Sequence, residues 1–176
     1  TVLEVRDLEL WFNGDYGAVK ILNKVNFDIH KGETLGIVGE SGCGKSTLVN
    51  TILNLFEPTD GKVFFEGEDV FAGAKKGNNA FKKNVQIVFQ DPYSSLNPRL
   101  PIYDIIGEAM LEHKIVANRE EMMNKVFELM SKCGLFPEQA GRYPHQFSGG
   151  QRQRICIARA LAVDPEFVIC DEAVSA

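Results

Sequence analysis

The run Gly39-Glu40-Ser41-Gly42-Cys43-Gly44-Lys45-Ser46-Thr47 carries the most readable chemistry in the chain. It fits the spacing G-x-x-x-x-G-K-[ST] through Gly39, Gly44, Lys45 and Ser46. Gly42 and Gly44 let a backbone turn sharply and approach oxygen atoms closely. Successive N–H groups then converge on an anion, and the start of the following helix adds a partial positive charge. Lys45 has the reach for the outer phosphates of a nucleotide, and the Ser46 hydroxyl is a hard oxygen donor suited to Mg²⁺. An apolar run, Thr34 to Gly39, precedes the loop, and "STLVNTILNL" (Ser46 to Leu55) follows with a helical pattern. The full pattern in that context outweighs a plain glycine-rich turn. Cys43 fills a free position of the loop, where a small residue needs no special role.

Two further stretches bear on the same chemistry. The apolar run Phe167-Val168-Ile169-Cys170 leads into Asp171 and Glu172. Acids at the C-terminal end of a parallel strand sit where α/β sheets bind ligands. Asp171 suits Mg²⁺, reached through water, and Glu172 suits the activation of an attacking water. Alone the pattern is weak, since apolar strands often end in acids. The other stretch is "FSGGQRQR" (Phe147 to Arg154), where Ser148 is a natural N-cap and Gly149-Gly150 leave backbone N–H groups uncovered. It is a second candidate phosphate-binding helix end, set against the plainer reading of an ordinary capped helix.

The elements that must position these residues follow from patterning. Strands are predicted at Leu3–Leu10, Val25–His30 and Lys62–Gly67. Strands buried on both faces are predicted at Thr34–Gly39, Asn84–Gln90 and Glu166–Cys170. Ala72–Asn79 reads as an exposed loop, and Asp91–Pro101, with three prolines, as another. Helices are predicted near Ile102–His113, Arg119–Cys133 and from Gly150 to before Asp164-Pro165. In the second, Met122, Val126, Leu129 and Met130 share a face that reads as core. The order suggests an α/β core with a helical subdomain.

The totals set limits. The 176 residues suit one domain or most of one. The net charge of -5 argues against a general nucleic-acid binder. No apolar run reaches the length of a membrane span, and no basic-then-apolar leader opens at Thr1. Cys43, Cys133, Cys156 and Cys170 match neither a metal site nor a disulfide scaffold, which reads as reduced thiols. His30, His113 and His145 are scattered, so no structural zinc is expected.

Taken together, the phosphate loop, Gln90 at the end of "VQIVF", the Ser-Gly-Gly-Gln run and the closing acids resemble, in order, the motifs of the nucleotide-binding subunits of ABC transporters. Phe147 stands where Leu is commoner in that family. "QDPYSSLNPR" (Gln90 to Arg99), "YPHQFSGGQRQRICIARAL" (Tyr143 to Leu161) and "DEAVSA" (Asp171 to Ala176) are similar to its oligopeptide/dipeptide importer branch.

The resemblance implies an α/β fold: a P-loop NTPase core with an N-terminal antiparallel β subdomain and a helical subdomain insert. It implies one C-terminally truncated nucleotide-binding domain. Residues 1–90 would form the β subdomain and P-loop core, 91–150 the glutamine loop and helical subdomain, and 151–176 the signature helix and Walker B strand. The implied function is ATP binding and hydrolysis that energises import of peptides, or of a related small solute, from the cytoplasmic face of the membrane. ATP and Mg²⁺ are the implied cofactors.

Gly39, Ser41, Gly42, Cys43, Gly44, Lys45, Ser46 and Thr47 would bind ATP. Ser46, Gln90 and Asp171 would hold Mg²⁺, with Gln90 and Glu172 catalytic. Ser148, Gly149, Gly150 and Gln151 would act in trans on the nucleotide of a second such subunit, in a homo- or heterodimer. Phe12 is the expected adenine-stacking aromatic, with Trp11 and Tyr16 as alternatives. Asp91 to about Met110 would border the groove for a permease subunit. No nucleic acid and no direct contact with cargo are implied. A soluble ABC ATPase of translation or DNA repair, or a nucleotide-binding regulatory module, are the competing readings.

The family's switch histidine and D-loop aspartate have no counterpart here, nor does the strand that would follow the acids and separate the P-loop strand from them. The 176-residue chain alone is therefore expected to aggregate and to hydrolyse ATP poorly. A monodisperse chain with family-like ATPase activity would refute that expectation.

Overall fold

The computed structural model describes residues 1–14, 17–72 and 79–172. The chain forms two compact units, Thr1–Phe81 and Lys82–Ala176. Tyr16, most of the expected loop from Ala72 to Asn79, and Ala173 to Ala176 lie outside the described residues. Among the described residues no helix is long and apolar enough to cross a membrane.

The first unit is built on an antiparallel sheet of order β2-β1-β3-β4, from β1 (Leu3–Gly14), β2 (Gly17–Ile29), β3 (Asp60–Phe65) and β4 (Glu68–Asp69). β1 and β2 make a long hairpin that extends well beyond the expected Leu3–Leu10 and Val25–His30. β1 buries Leu3 and Val5, then changes phase and buries Leu8 and Leu10. The phase change is a bulge. Along β1 the pairing steps from Val5 to Leu8 while β2 steps from Phe27 to Val25. The β3 partners skip in the same way, from Arg6↔Lys62 to Glu9↔Asp60.

The extra residue, Asp7, sits in left-handed space at φ 44°. Asn26 pins it: its Oδ1 accepts the Asp7 N–H at 2.9 Å, and its Nδ2 donates to Asp7 Oδ1 at 3.0 Å. Gly61, at φ 87°, lies so close that an added Cβ would stand 2.3 Å from the Asp7 carbonyl oxygen.

The apolar run Thr34–Gly39, expected as a buried strand, is not one. It belongs to neither sheet, and Leu35, Ile37 and Val38 are exposed, Val38 to 97%. Apolar character alone does not make a strand, because the ladder bonds that define one need partners on a neighbouring backbone. The helix after the loop, α1 (Lys45–Ile52), is shorter than the Ser46–Leu55 pattern. It is closed by Leu53, and Asn54 follows at φ 58°, a left-handed exit Asn tolerates.

From Lys82, inside α2 (Asn79–Asn84), the second unit runs through β5 (Val85–Val88) to β6 (Phe167–Cys170), and these two strands pair in parallel. Between them lie α3 (Ile102–Glu112), α4 (Arg119–Lys132) and α5 (Gly149–Leu161). Their core is one cluster that includes Val88, Ile102, Ile106, Met110, Met122, Val126, Met130, Phe147, Ile155 and Ala158. Met122, Val126 and Met130 form the expected core stripe, with Leu129 only partly buried at its margin.

α3 begins at a proline and cannot cap itself. Instead the chain segment before α5 accepts its first donors, Ile102 N–H to Arg142 O at 2.9 Å and Tyr103 N–H to Ala140 O at 3.0 Å. β6 departs from expectation. Val168 and Cys170 face outward and are exposed, because a two-stranded parallel sheet has no second layer over that face.

Gly61→Ala is expected to destabilise the chain by about 2 kcal/mol or more in denaturant unfolding. The new methyl meets backbone at a φ that alanine disfavours. A change below about 0.5 kcal/mol would show that the bulge does not rest on Gly61.

Candidate functional site

In the first unit the phosphate loop is shaped by its glycines and by Lys45. Gly44 is the N-cap of α1 at φ 101°, with no side chain capping the helix. A Cβ there would also stand 3.2 Å from Ile21 of β2, so Gly44 sets both the turn and the seating of α1. Gly42, at φ 81°, provides the other left-handed turn. Lys45 Nζ donates to the carbonyls of Gly39 at 2.7 Å and Glu40 at 2.8 Å, and lies 3.8 Å from Cys43 Sγ. Ser41, Gly42 and Cys43 are exposed along the loop, as is Ser46, with Thr47 half-buried. The lysine thus neutralises the loop's carbonyl dipoles.

Of the candidate adenine-stacking residues, Phe12 lies at the far end of β1, 44% exposed, edge-on to Phe56 at 5.7 Å. Phe56 follows α1 closely in sequence. Trp11 is engaged elsewhere. Its Nε1 donates to the buried Glu9 at 3.1 Å, and Lys20, which also binds Glu9, sits 4.8 Å over its ring. Phe12 and Trp11 are almost equally exposed, at 44% and 43%, so their different contacts and not their exposure distinguish them.

In the second unit the register of β5 and β6 brings two sequence-predicted residues together. Val85↔Phe167 through Val88↔Cys170 place Gln90 and Glu172 at equivalent positions beyond the last pair. Gln90 Nε2 donates to Glu172 Oε2 at 2.8 Å. The Asp171 N–H continues the ladder to Val88 O at 3.0 Å. Glu172 adopts φ 47°, an uncommon conformation for a glutamate, which turns its carboxylate toward Gln90. Gln90 and Asp171 line one cleft of about 600 Å³ together with Asp91, Ser94, Ser95 and Arg159.

The fit to Mg²⁺ can be judged on donor chemistry. Ser46 in the first unit, and separately Gln90 and Asp171 in the second, each offer a hard oxygen. No group of three or more His, Cys, Asp or Glu among the described residues forms a cage of its own. Oxygen of that kind suits Mg²⁺, which takes few protein ligands and keeps several waters.

α5 starts with a complete capping box. Ser148 Oγ accepts the Gln151 N–H at 3.3 Å, and Gln151 Oε1 accepts the Ser148 N–H at 3.0 Å. That leaves the N–H groups of Gly149 and Gly150 as the helix-start donors the box does not use. A Cβ added at Gly150 would meet nothing within 4 Å. A serine hydroxyl also keeps its own proton to donate. Ser148 and Gly150 are exposed and Gly149 is half-buried, so the three form a small donor surface.

Sequence reasoning missed the residues that tie the loop after Gln90 to this helix. The Tyr93 ring lies under Arg152, 4.1 Å from the guanidinium carbon, and Arg159 donates to the Ser95 carbonyl. The available signal was the spacing of arginines along one face of α5. The Tyr93 N–H, bound at 2.8 Å, together with Ser94, holds the Asp91 carboxyl below its usual value. The four cysteines are free thiols: Cys43 and Cys170 exposed, Cys133 half-buried and Cys156 buried. Burial pushes the Cys133 thiol up, against the pull of Arg154.

Comparison with known proteins places this geometry. The family model described as ABC transporter matches residues 22–175. The chain is 53% identical over 99% of its length to the oligopeptide transport ATP-binding protein OppF of Bacillus subtilis, covering 58% of that protein. It is 46% identical over 99% of its length to the dipeptide transport ATP-binding protein DppF of Lactococcus lactis, covering 57%. It is 50% identical over 90% of its length to the glutathione import ATP-binding protein GsiA of Pectobacterium atrosepticum, covering 25%. The chain thus spans little more than half the length of the peptide-transport relatives.

Among solved structures, the dimeric ATP-binding cassette MJ0796 in a post-hydrolysis state bound to ADP and Pi superposes with a TM-score of 0.86 at 28% identity. That match covers 99% of this chain and 75% of the other. The fold is that of the ATP-binding cassettes, a P-loop NTPase fold with an antiparallel β subdomain and a helical part. With a family model spanning most of its length and with this loop, these strand-end residues and this capped helix, the chain belongs to the ABC transporter family.

Proposed function

We propose that the chain is the ATP-binding and ATP-hydrolysing part of a subunit that energises import of peptides, or of a related small solute, across the cytoplasmic membrane. The observation that carries the reading is the Gln90–Glu172 hydrogen bond at the C-terminal ends of a parallel strand pair. It joins the proposed water-activating acid to the proposed glutamine-loop residue. Relatives named for oligopeptide, dipeptide and glutathione transport support the solute class.

In this reading Gly39, Ser41, Gly42, Cys43, Gly44, Lys45, Ser46 and Thr47 cradle the phosphates, and Phe12 stacks on adenine. Mg²⁺, when bound, would draw charge from the phosphate oxygens, and Ser46, Gln90 and Asp171 are the residues that would hold it. Glu172 accepts the proton of the attacking water, and Gln90 orients that water as it lets go of the carboxylate. Ser148, Gly149, Gly150 and Gln151 offer their donors to the nucleotide of a second subunit, homo- or heterodimeric, where extra N–H groups offset developing negative charge. Residues 1–90, 91–150 and 151–176 divide the work as β subdomain with P-loop core, glutamine loop with helical subdomain, and signature helix with Walker B strand. Permease subunits are the other partners, with Asp91 to about Met110 facing them. The subunit is peripheral to the cytoplasmic face, binds no nucleic acid and does not touch the cargo.

Glu172→Gln in the assembled protein is expected to lower ATP turnover by about two to four orders of magnitude with ATP still bound. Lys45→Ala should instead weaken ATP binding by about ten- to hundredfold, as expected on loss of a charged donor. Turnover by Glu172→Gln at the unsubstituted rate would end the reading. A second measurement concerns the loop. ATP should slow alkylation of the exposed Cys43 and leave that of the exposed Cys170 unchanged. Equal Cys43 labelling with and without ATP would remove the loop from the binding site.

A further inference from the structure

The segment that begins at Gln90 is fastened to α5 at two levels. At the helix start, Arg152 lies over the Tyr93 ring at 4.1 Å while its Nε donates to the Phe147 carbonyl at 3.1 Å. Tyr93 also reaches Gly149: a methyl added there would stand 3.4 Å from the Tyr93 hydroxyl. Seven residues on, about two helical turns, Arg159 donates to the Ser95 carbonyl. Between them the buried Cys156 places its Sγ 3.4 Å from the Ser95 hydroxyl.

The segment is also braced internally. Asp91 Oδ1 accepts the Tyr93 N–H at 2.8 Å, and the Ser95 hydroxyl donates to the Asp91 carbonyl at 2.9 Å. Residues 91 to 95 are thus a short, self-bonded turn gripped by one face of a helix. The grip is not a core contact, because Tyr93 is 61% exposed. A stack of that kind adds little to stability, which makes positioning its more economical role.

We infer that Arg152 with Tyr93, and Arg159 with Ser95, form a clamp that couples the placement of Gln90 to the orientation of the Ser148-Gly149-Gly150 helix start. The inference rests on the ATPase reading above. These four are positioning residues. None is placed on nucleotide, and each acts through Gln90 or through the start of α5. Because Gln90 is two residues from Pro92 and three from Tyr93, a shift of its side chain between Glu172 and a bound water is passed to Tyr93 through a braced turn. Arg152 then carries it into the first turn of α5. The same linkage run in reverse lets a nucleotide held by Gly149 and Gly150 bias Gln90 toward or away from Glu172.

The test is a set of thermodynamic cycles on ATP turnover by the assembled protein. Tyr93→Ala and Arg152→Ala are each expected to lower kcat about three- to fivefold, the scale of an exposed cation–π contact. The KM for ATP and the Tm should stay unchanged. Tyr93→Phe should keep the unsubstituted kcat, since the stack needs the ring and not the hydroxyl. The Tyr93→Ala/Arg152→Ala double variant should be no slower than the slower single variant. In a Gln90→Ala background neither substitution should lower kcat further. Losses that multiply in the double variant, or in the Gln90→Ala background, would overturn the clamp, as would a raised KM with kcat intact.

If the unsubstituted protein does not turn over ATP, the function proposed above fails by itself. The clamp is then read by hydrogen exchange, where Arg152→Ala should speed exchange at the Tyr93 amide. Unchanged exchange there would overturn it.

Discussion

The second unit depends on one register. Each residue of β5 pairs with the residue 82 positions later in β6, from Val85↔Phe167 to Val88↔Cys170. Extended by the Asp171–Val88 backbone bond, that pairing leaves Gln90 and Glu172 as equals at the strand ends, 2.8 Å apart. A slip of a single residue would turn every side chain of β6 to the other face and separate the two. Glu172 adds a local constraint, because its left-handed φ of 47° costs about 1 kcal/mol or more and persists only where the surroundings hold it. Strain of this kind at the end of a strand aims a carboxylate, and here the aim is at Gln90.

The first unit solves a different problem, shaping the loop that the proposed function assigns to an anion. Its means are backbone conformation and self-bonding. Gly44 combines a left-handed turn with close seating on Ile21, and Lys45 satisfies the carbonyls of Gly39 and Glu40. The start of α5 follows the opposite logic. There the Ser148–Gln151 box binds itself, and what it leaves over, the N–H groups of Gly149 and Gly150, is the useful part. One helix end lacks a side-chain cap and the other is capped so that only two donors remain. In the proposed function both would present backbone N–H groups to anionic oxygen.

How much of this was legible in the sequence varied with the kind of signal. The loop, the strand-end acids and the capped helix could be read because their chemistry is set by residue type at fixed local spacing. The helices at Ile102–Glu112, Arg119–Lys132 and Gly149–Leu161 were close to their patterns for the same reason. Thr34–Gly39 was misread because apolar content reports a wish for burial and not the presence of a ladder partner. Val168 and Cys170 were misread for the related reason that a run of apolar residues does not say how many layers cover it. The bulge at Asp7 hid inside an alternation that looked regular until the phase of Leu8 and Leu10 was compared with that of Leu3 and Val5. The bond between Gln90 and Glu172 was out of reach, since nothing local says that residues 82 apart will meet.

α5 shows how a short sequence can serve three demands at once. Gln151, Ile155, Ala158 and Ala162 recur at helical spacing, and Ile155, Ala158 and Ala162 are buried in the helical core. Arg152, Cys156 and Arg159 recur at the same spacing one residue later, about 100° around the helix, and all three contact the turn after Gln90. The glycines occupy the first turn, where neither stripe needs a side chain. Rotation of the helix about its axis would disturb both stripes together, and sliding it along the core would move the glycines and the arginines by the same amount. A helix built this way transmits displacement as a rigid body. The Gly149-Gly150 donors and the Gln90 turn are therefore two ends of one mechanical element, held straight by the same buried residues that stabilise the unit.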